Sequence, residues 1–363
     1  MGKQVLPAGA RIRVLVVDDS VVIRRLVTEA LNEDPTIEVV GAAANGKIAL
    51  AKIPQVNPDA ITLDIEMPEL DGLETLRRIR KDYPKLCVIM FSTLTERGAR
   101  ATLDALALGA NDYVTKAANI GSLDRSMASL RGELIPKIKQ FFALPGEATR
   151  REPAPGPAVA RTGGNGTAVI PAAKSRRSAV AIGLSTGGPA ALSEVLPRLP
   201  EHFPLPVLIV QHMPPIFTRL LADRLRTQCA LAVEEAAQGM SVVPGKIIIA
   251  RGDYHMRLRR SGAEVLVTLD QAPPENSCRP AVDVTFRAVE EVYRGEVVAV
   301  IMTGMGQDGL RGVEILKARG AYVIAQDEAT SVVWGMPGYV AKAGLADAVV
   351  PLESVYSEIV RHV

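Results

Sequence analysis

The chain predicts an α/β protein of two doubly wound parallel-sheet domains, the second larger and carrying a small antiparallel extension. Apolar β-rich runs alternate with helical periodicity in both halves, and a stretch unable to build a core divides them. The length, 363 residues, suits two domains at roughly 150 residues each. Hydrophobic residues make up 48% and charged residues 23%, proportions that fill ordinary globular cores and exclude disorder throughout.

In chain order, the first half reads RVLVVDD, IEVVGAA, AITLDI, LCVIMFST and YVTK. Such near-continuous apolar runs belong to strands buried on both faces of a parallel sheet. Helical spacing fills the gaps, as in GLETLRRIRKDY. Residues 145 to 178, PGEATRREPAPGPAVARTGGNGTAVIPAAKSRRS, hold neither an aromatic residue nor a leucine. That composition cannot offset its ordering entropy and reads as a flexible, mildly basic tether. The alternation resumes with AVAIGLS, LPVLIVQH and EVVAVIMTG. Between the last two, GMSVVPGKIIIARGDYHMRLRRSGAEVLVTL places a PG and an SG turn between alternating runs, which predicts the antiparallel extension. The expected units are 11–135, a helix end and linker over 136–177, and 178–360.

Lys and Arg number 42 against 40 Asp and Glu, a formal charge of +2, so no whole-chain field points to nucleic acid or an anionic membrane. A basic nucleic-acid arm in the tether is disfavoured because nothing aromatic is interleaved with its arginines. Cys87, Cys229 and Cys278 are far apart, odd in number and outside any CxxC, which argues against both a disulfide framework and a zinc site. The first residues, MGKQVLPAGARIRVLVV, show neither a signal-peptide pattern nor the Ser or Thr of a myristoylation signal. No apolar run approaches ~18 residues. A soluble, cytoplasmic protein is expected.

Asp18 and Asp19 follow the first strand run and Asp64 follows AITL. The carboxyl ends of strands are where open parallel sheets bind ligands. Singly, these residues read as caps: Asp19 and Ser20 for a helix starting at Val21, Asp64 for a loop. Together they form a carboxylate cluster that is destabilising without a cation, and Mg²⁺ prefers such hard oxygen donors. One carboxylate could also accept a phosphoryl group while the metal neutralises charge. Ser92 or Thr93 could hydrogen-bond a phosphoryl oxygen, and Lys116 supplies a positive charge at the next strand end.

In the second half, AIGLSTGGPAAL formally matches the GxSxG elbow that exposes a serine hydroxyl. Pro189 suits the first turn of a following helix. Alone, the stretch fits a tight turn better than either a nucleophile or a phosphate cradle; a P-loop is disfavoured because no GK[ST] follows. Of His202, His212, His255 and His362, only His212 directly ends a strong strand run. His255 reads as a loop side chain. Asp308 lies in TGMGQDG, after EVVAVIM. Ser185, His212 and Asp308 can therefore meet at one sheet edge, where an imidazole activates the hydroxyl and a carboxylate orients the imidazole. The open alternatives are that His212 caps a strand and that Asp308 caps the helix GLRGVEILKARG. The order Ser, His, Asp departs from that of α/β-hydrolases.

The pattern DD, LDxxMPxxDG, Ser/Thr, Lys resembles the receiver domain of two-component response regulators. That resemblance implies a flavodoxin-like fold, Asp64 as phosphoacceptor, and Mg²⁺ held by Asp18 and Asp19 with Asp64. It also implies Ser92, Tyr113 and Lys116 as switch residues. The family usually has proline after the lysine, where this chain has Ala117; a cis bond there would cost about 2.5–4 kcal/mol. IGLSTGGP, QHMPPIFT, RPAVDVTF and MTGMGQDG together are similar to the catalytic domain of chemotaxis protein-glutamate methylesterases. This likeness implies the triad Ser185, His212 and Asp308, backbone at Thr186 and Met305 near the oxyanion, and no cofactor in the esterase site. It further implies methylated chemoreceptors as substrates, with deamidation of particular glutamines, and a chemotaxis histidine kinase as phosphodonor. The protein would then work beside receptor arrays without entering the membrane or binding nucleic acid. A response regulator with a DNA-binding or nucleotide-binding output is the rival reading.

Overall fold

The computed structural model describes residues 4–7, 9–116, 123–143 and 177–363, leaving out the side chains of 123–126 and 129. Ala117 and almost all of the expected tether lie outside the described residues. The elements of the first unit are β1 (Gln4–Val5), β2 (Ile12–Val17), α1 (Val21–Asn32), β3 (Ile37–Ala43), α2 (Gly46–Val56), β4 (Ala60–Asp64), α3 (Gly72–Asp82), β5 (Cys87–Ser92), α4 (Glu96–Ala107), β6 (Asp112–Thr115), α5 (Leu123–Lys139) and β7 (Phe142–Ala143). Five of its strands form a parallel sheet in the order β3-β2-β4-β5-β6. The helices begin where a short polar side chain can cap them: Ser20 accepts from Ile23 N–H at 3.4 Å, Asn45 from Ile48 at 2.9 Å, Asp71 from Glu74 at 2.8 Å and Thr95 from Gly98 at 3.0 Å. A short parallel pair of β1 with β7 joins the two ends of this unit, outside the expected 11–135.

The second unit continues with β8 (Ala179–Leu184), α6 (Gly188–Val195), β9 (Val207–Gln211), α7 (Phe217–Arg226), β10 (Ala232–Glu235), β11 (Lys246–Ile249), β12 (His255–Ser261), β13 (Glu264–Asp270), α8 (Val282–Tyr293), β14 (Val297–Ile301), α9 (Leu310–Ala318), β15 (Tyr322–Gln326), α10 (Met336–Lys342), β16 (Ala348–Val350) and α11 (Leu352–Arg361). Seven strands form a parallel sheet in the order β10-β11-β9-β8-β14-β15-β16. The central strands β8, β9 and β14 are buried along their whole length, as sheets covered on both faces require.

The antiparallel extension is smaller than the sequence predicts. Among the described residues only β12 and β13 form a hairpin, closed at the SG turn. KIII pairs parallel with Val207–Ile209 instead, because its three isoleucines are all fully buried and fit the interior of a two-sided sheet rather than a half-exposed ribbon. His255 is likewise no loop side chain: it opens β12, is buried, and holds Pro273 O at 3.1 Å and Ala281 N–H at 3.3 Å.

The two units share one continuous apolar cluster. Helix α4 packs on α6 and α7, the Tyr113 ring stacks on Phe217 with centroids 4.9 Å apart, and Arg224 meets Asp104 at 2.8 Å on the rim. Within the second unit, Phe286 is fully buried, and a Cβ at Gly312 would come within 2.5 Å of it. Replacing Phe286 with Ala is expected to cost about 3–5 kcal/mol, read as a lowered unfolding midpoint in denaturant.

Candidate active site

Strand register builds the site. Leu184 of β8 pairs with Gln211 of β9, so the next residues, Ser185 and His212, leave adjoining strand ends side by side. His212 N–H bonds Leu184 O at 3.2 Å, and Ser185 N–H bonds Thr303 O, beyond β14, at 3.0 Å. Two glycines permit this closeness. A Cβ on Gly304 would lie 2.9 Å from Ser185 Cβ, and one on Gly188 would lie 1.8 Å from Gln211 Oε1. The Gln211 amide also donates to Ser185 O at 3.0 Å. The serine loop is thus clamped from both neighbouring strands.

Asp308 does not cap the helix that follows it; Gly309, at φ 96°, takes that position without a side-chain bond. Its carboxylate caps α8 instead. Oδ2 accepts Val282 N–H at 2.6 Å and Oδ1 accepts Asp283 N–H at 3.0 Å and the Asn276 amide at 2.9 Å. The positive end of a helix and three donors favour the anion. Burial opposes ionisation, yet these bonds and the one from His212 outweigh it and hold Asp308 below its ordinary range. Asp283, receiving Gly312 N–H at 2.7 Å and Asn276 at 2.9 Å, is pushed up by burial and by the charge of Asp308. Asn276 and Asp283 were not singled out in the sequence; RPAVDVTF signals a helix start, but not which carboxylate fills it.

His212 Nε2 lies 2.8 Å from Asp308 Oδ2, so Nδ1 is the nitrogen left to exchange a proton elsewhere. Burial would lower the imidazole pKa; the Asp308 bond and the adjacent Cys278 thiol overcome it and push it up to about 10. The Ser185 hydroxyl makes no hydrogen bond among the described residues, so serine and imidazole are neighbours without being joined. The N–H groups of Thr186 and Met305 likewise donate to no acceptor within the described residues, although Thr186 O is held by Thr303 Oγ1 at 2.9 Å. Met305 is exposed. Thr186 follows Ser185 in the chain, and Gly304, which precedes Met305, packs directly against Ser185.

Asp18 and Asp64 are buried at the ends of β2 and β4, with Asp19 exposed beside them. Lys116 Nζ bridges Asp18 Oδ2 and Asp64 Oδ1, 2.8 Å from each. Burial pushes Asp64 up to about 6, aided by the charge of Asp18 and opposed by Lys116. Ligand atoms of the three aspartates lie within 4.8 Å of one another, and buried Asp18 Oδ2 has the lysine's charge but no well-directed hydrogen bond. An all-oxygen donor set with an unsatisfied buried oxygen fits Mg²⁺. Two switch positions face elsewhere. Ser92 Oγ accepts from Thr102 Oγ1 at 2.6 Å, which directs it toward α4, and Tyr113 is buried against the second unit. Between the units, Thr186 Oγ1 donates to Asp112 Oδ2 at 2.7 Å, a contact that sequence reasoning missed because no local pattern marks a partner 74 residues away.

Two pH responses follow. Because the folded pKa of His212 exceeds its ordinary 6.5, its contribution to stability is complete below pH 6.5 and disappears as pH rises through about 10. Thermal denaturation should register that loss in the wild type and not in His212→Gln. Asp64 is also raised, from 3.8 to about 6, so its ionisation destabilises the fold as pH climbs through that value. Mg²⁺ is accordingly expected to raise the melting temperature above pH 6, and Asp64→Asn to raise it without Mg²⁺ and to blunt the Mg²⁺ response.

Comparison with known proteins agrees with this layout. A family model described as CheB methylesterase matches residues 180–359, and one described as response regulator receiver domain matches 14–128. A curated relative from Trichodesmium erythraeum, a protein-glutamate methylesterase/protein-glutamine glutaminase, is 52% identical over 353 residues, covering 97% of this chain and 99% of its own. One of the same name from Nocardioides sp. is 52% identical over 361 residues, 96% of this chain and 95% of its own. The solved Thermotoga maritima CheB methylesterase catalytic domain superposes with a TM-score of 0.51 at 44% identity, covering 52% of this chain and 99% of that one.

Proposed function

The chain belongs to the CheB methylesterase family and is a protein-glutamate methylesterase/protein-glutamine glutaminase of chemotaxis, regulated through a receiver domain, and from that premise we propose which of its residues perform and govern the reaction. The observation that carries the assignment is the Leu184–Gln211 register, which sets Ser185 beside His212, together with the 2.8 Å bond from His212 to Asp308.

Ser185 Oγ attacks the γ-carbonyl carbon of a methylated glutamate on a chemoreceptor while its proton passes to His212 Nδ1. The new C–O bond displaces the carbonyl electron pair onto oxygen, where Thr186 N–H and Met305 N–H stabilise it. Collapse expels methoxide, which takes the proton from His212 and departs as methanol. Water then adds to the acyl-enzyme, again losing a proton to His212, and release of Ser185 leaves glutamate. With a glutamine side chain the same sequence releases ammonia. Asp308, anchored to α8, keeps the imidazole tautomer and supports its cation. Removing one oxyanion donor should cost about 3 kcal/mol of barrier.

In the receiver, Asp18, Asp19 and Asp64 would hold Mg²⁺, whose chemistry is to neutralise charge on an incoming phosphoryl group. Asp64 is the phosphoacceptor, a chemotaxis histidine kinase the donor, and Lys116 the cation that pairs with the modified carboxylate. None of the described helices is long and apolar enough to cross a membrane; the reading is a cytoplasmic enzyme acting beside receptor arrays.

The described arrangement reads as a resting one. The serine and imidazole are not bonded, and the receiver's α4 and β6 cover the helices that follow both residues. A cleft of about 1190 Å³ remains between the units, bordered by Gly187, Pro189 and Met305 on one side and by Ile135, Gln140 and Phe141 on the other. Phosphorylation at Asp64 would draw on Ser92 and Tyr113, release the Tyr113–Phe217 stack and the Asp112–Thr186 bond, and shift the population toward an open state. Two outcomes are expected. Ser185→Ala abolishes methanol release from methylated receptor membranes while Asp64 is still phosphorylated by acetyl phosphate; esterase activity retained in that variant would remove the mechanism. The polypeptide 177–363 alone turns over faster than the unphosphorylated full chain, and an equal or lower rate would point to activation by contact.

A further inference from the structure

The hydrolytic mechanism leaves one reactive group of this site without a task. Cys278 is partly buried and unpaired with another cysteine, and its sulfur lies within 4.8 Å of a His212 ring nitrogen and of an Asp308 carboxylate oxygen. Its turn is stiffly built. Asn276 and Ser277 both have positive φ, 52° and 62°, as a type I′ turn requires, and Glu275 and Cys278 exchange backbone bonds at 3.1 and 2.9 Å. Arg287 grips Glu275 with two contacts of 2.7 and 2.6 Å, while the Asn276 amide reaches Asp308. The thiol is therefore directed at the imidazole by a framework tied to the same carboxylate.

Against the expectation from cysteine spacing, which cannot register a histidine and an aspartate brought in from other strands, we propose that Cys278, His212 and Asp308 form an inhibitory site for Zn²⁺ or a divalent metal of similar softness. One donor atom from each lies within 4.8 Å of the others. Zinc bonds of about 2.0–2.3 Å at tetrahedral angles set donors roughly 3.3–3.8 Å apart, so small side-chain adjustments complete the geometry. Sulfur, imidazole nitrogen and carboxylate oxygen are the donors zinc selects, and three protein ligands leave a fourth position for water. The receiver cluster, made of oxygen alone, suits Mg²⁺ instead. The chain thus carries two cation sites of different hardness, each at the carboxyl edge of a parallel sheet.

On binding, the thiol becomes a thiolate and the imidazole gives a nitrogen lone pair to the metal, their protons leaving to solvent. Ser185 then has no base to receive its proton. The inhibitory consequence rests on the esterase reading; the site itself does not.

The test uses the full chain with Mg²⁺ present. Co²⁺ titration should produce a near-ultraviolet thiolate-to-cobalt charge-transfer band that Cys278→Ala abolishes and Cys229→Ala keeps. An all-carboxylate site cannot give that band, so the receiver does not confuse it. Zn²⁺ should inhibit methanol release reversibly on addition of EDTA. With each variant referred to its own metal-free rate, Cys278→Ala should need at least about tenfold more Zn²⁺ for the same inhibition. Equal Zn²⁺ sensitivity in wild type and Cys278→Ala, or a Co²⁺ titration carried to saturation without the band, overturns the proposal. A band in a chain without esterase activity would uphold the metal site and overturn the function.

Discussion

Everything at the esterase site depends on one buried carboxylate held by a helix it does not belong to. Asp308 follows β14, yet its oxygens are fixed by Val282 N–H, Asp283 N–H and Asn276 at the start of α8. A buried anion without such donors would neutralise itself and lose its hold on the imidazole. With them it stays ionised, and the 2.8 Å bond to His212 can orient the ring. The parallel register of β8 and β9 then brings the serine beside the imidazole, held by the Gln211 amide and the Thr303 carbonyl at the close approach two glycines allow.

The same sheet logic serves the receiver. In both units the reactive side chains stand at carboxyl ends of parallel strands, where helix N-termini and loop backbone converge. The units meet so that α4 and β6 of one cover the helices that follow Ser185 and His212 in the other. Asp112 and Tyr113 are adjacent in β6, one bonded to Thr186 and the other stacked on Phe217. A change in β6 has a direct physical path to the loop that follows Ser185, through a hydrogen bond and a ring contact.

Much of this was legible in the sequence. Uniform apolar runs ending in Asp64, Ser185 and His212 marked strand termini, because a strand buried on both faces must stop where its first reactive or glycine-rich residues begin. What was not legible has a common cause. Asn276 and Asp283 act through space on Asp308, Asp112 acts on Thr186 across the domain boundary, and Cys278 comes near His212 from a turn 66 residues along the chain. KIII carried the apolar signal of a strand, but whether it would pair with the hairpin or the main sheet depended on burial of both faces. Ser92 lies at the expected strand end, yet Thr102 turns its hydroxyl toward α4, a choice of rotamer and not of sequence pattern.

The central claim is that Ser185 is a nucleophile because His212, oriented by Asp308, accepts its proton. Mass spectrometry after reaction with a serine-directed fluorophosphonate addresses it without a receptor substrate. A single adduct on the peptide containing Ser185, formed much more slowly in His212→Gln and Asp308→Asn variants that remain folded, is the expected result. Labelling at another residue, or Ser185 labelled at an unchanged rate in both variants, would contradict it.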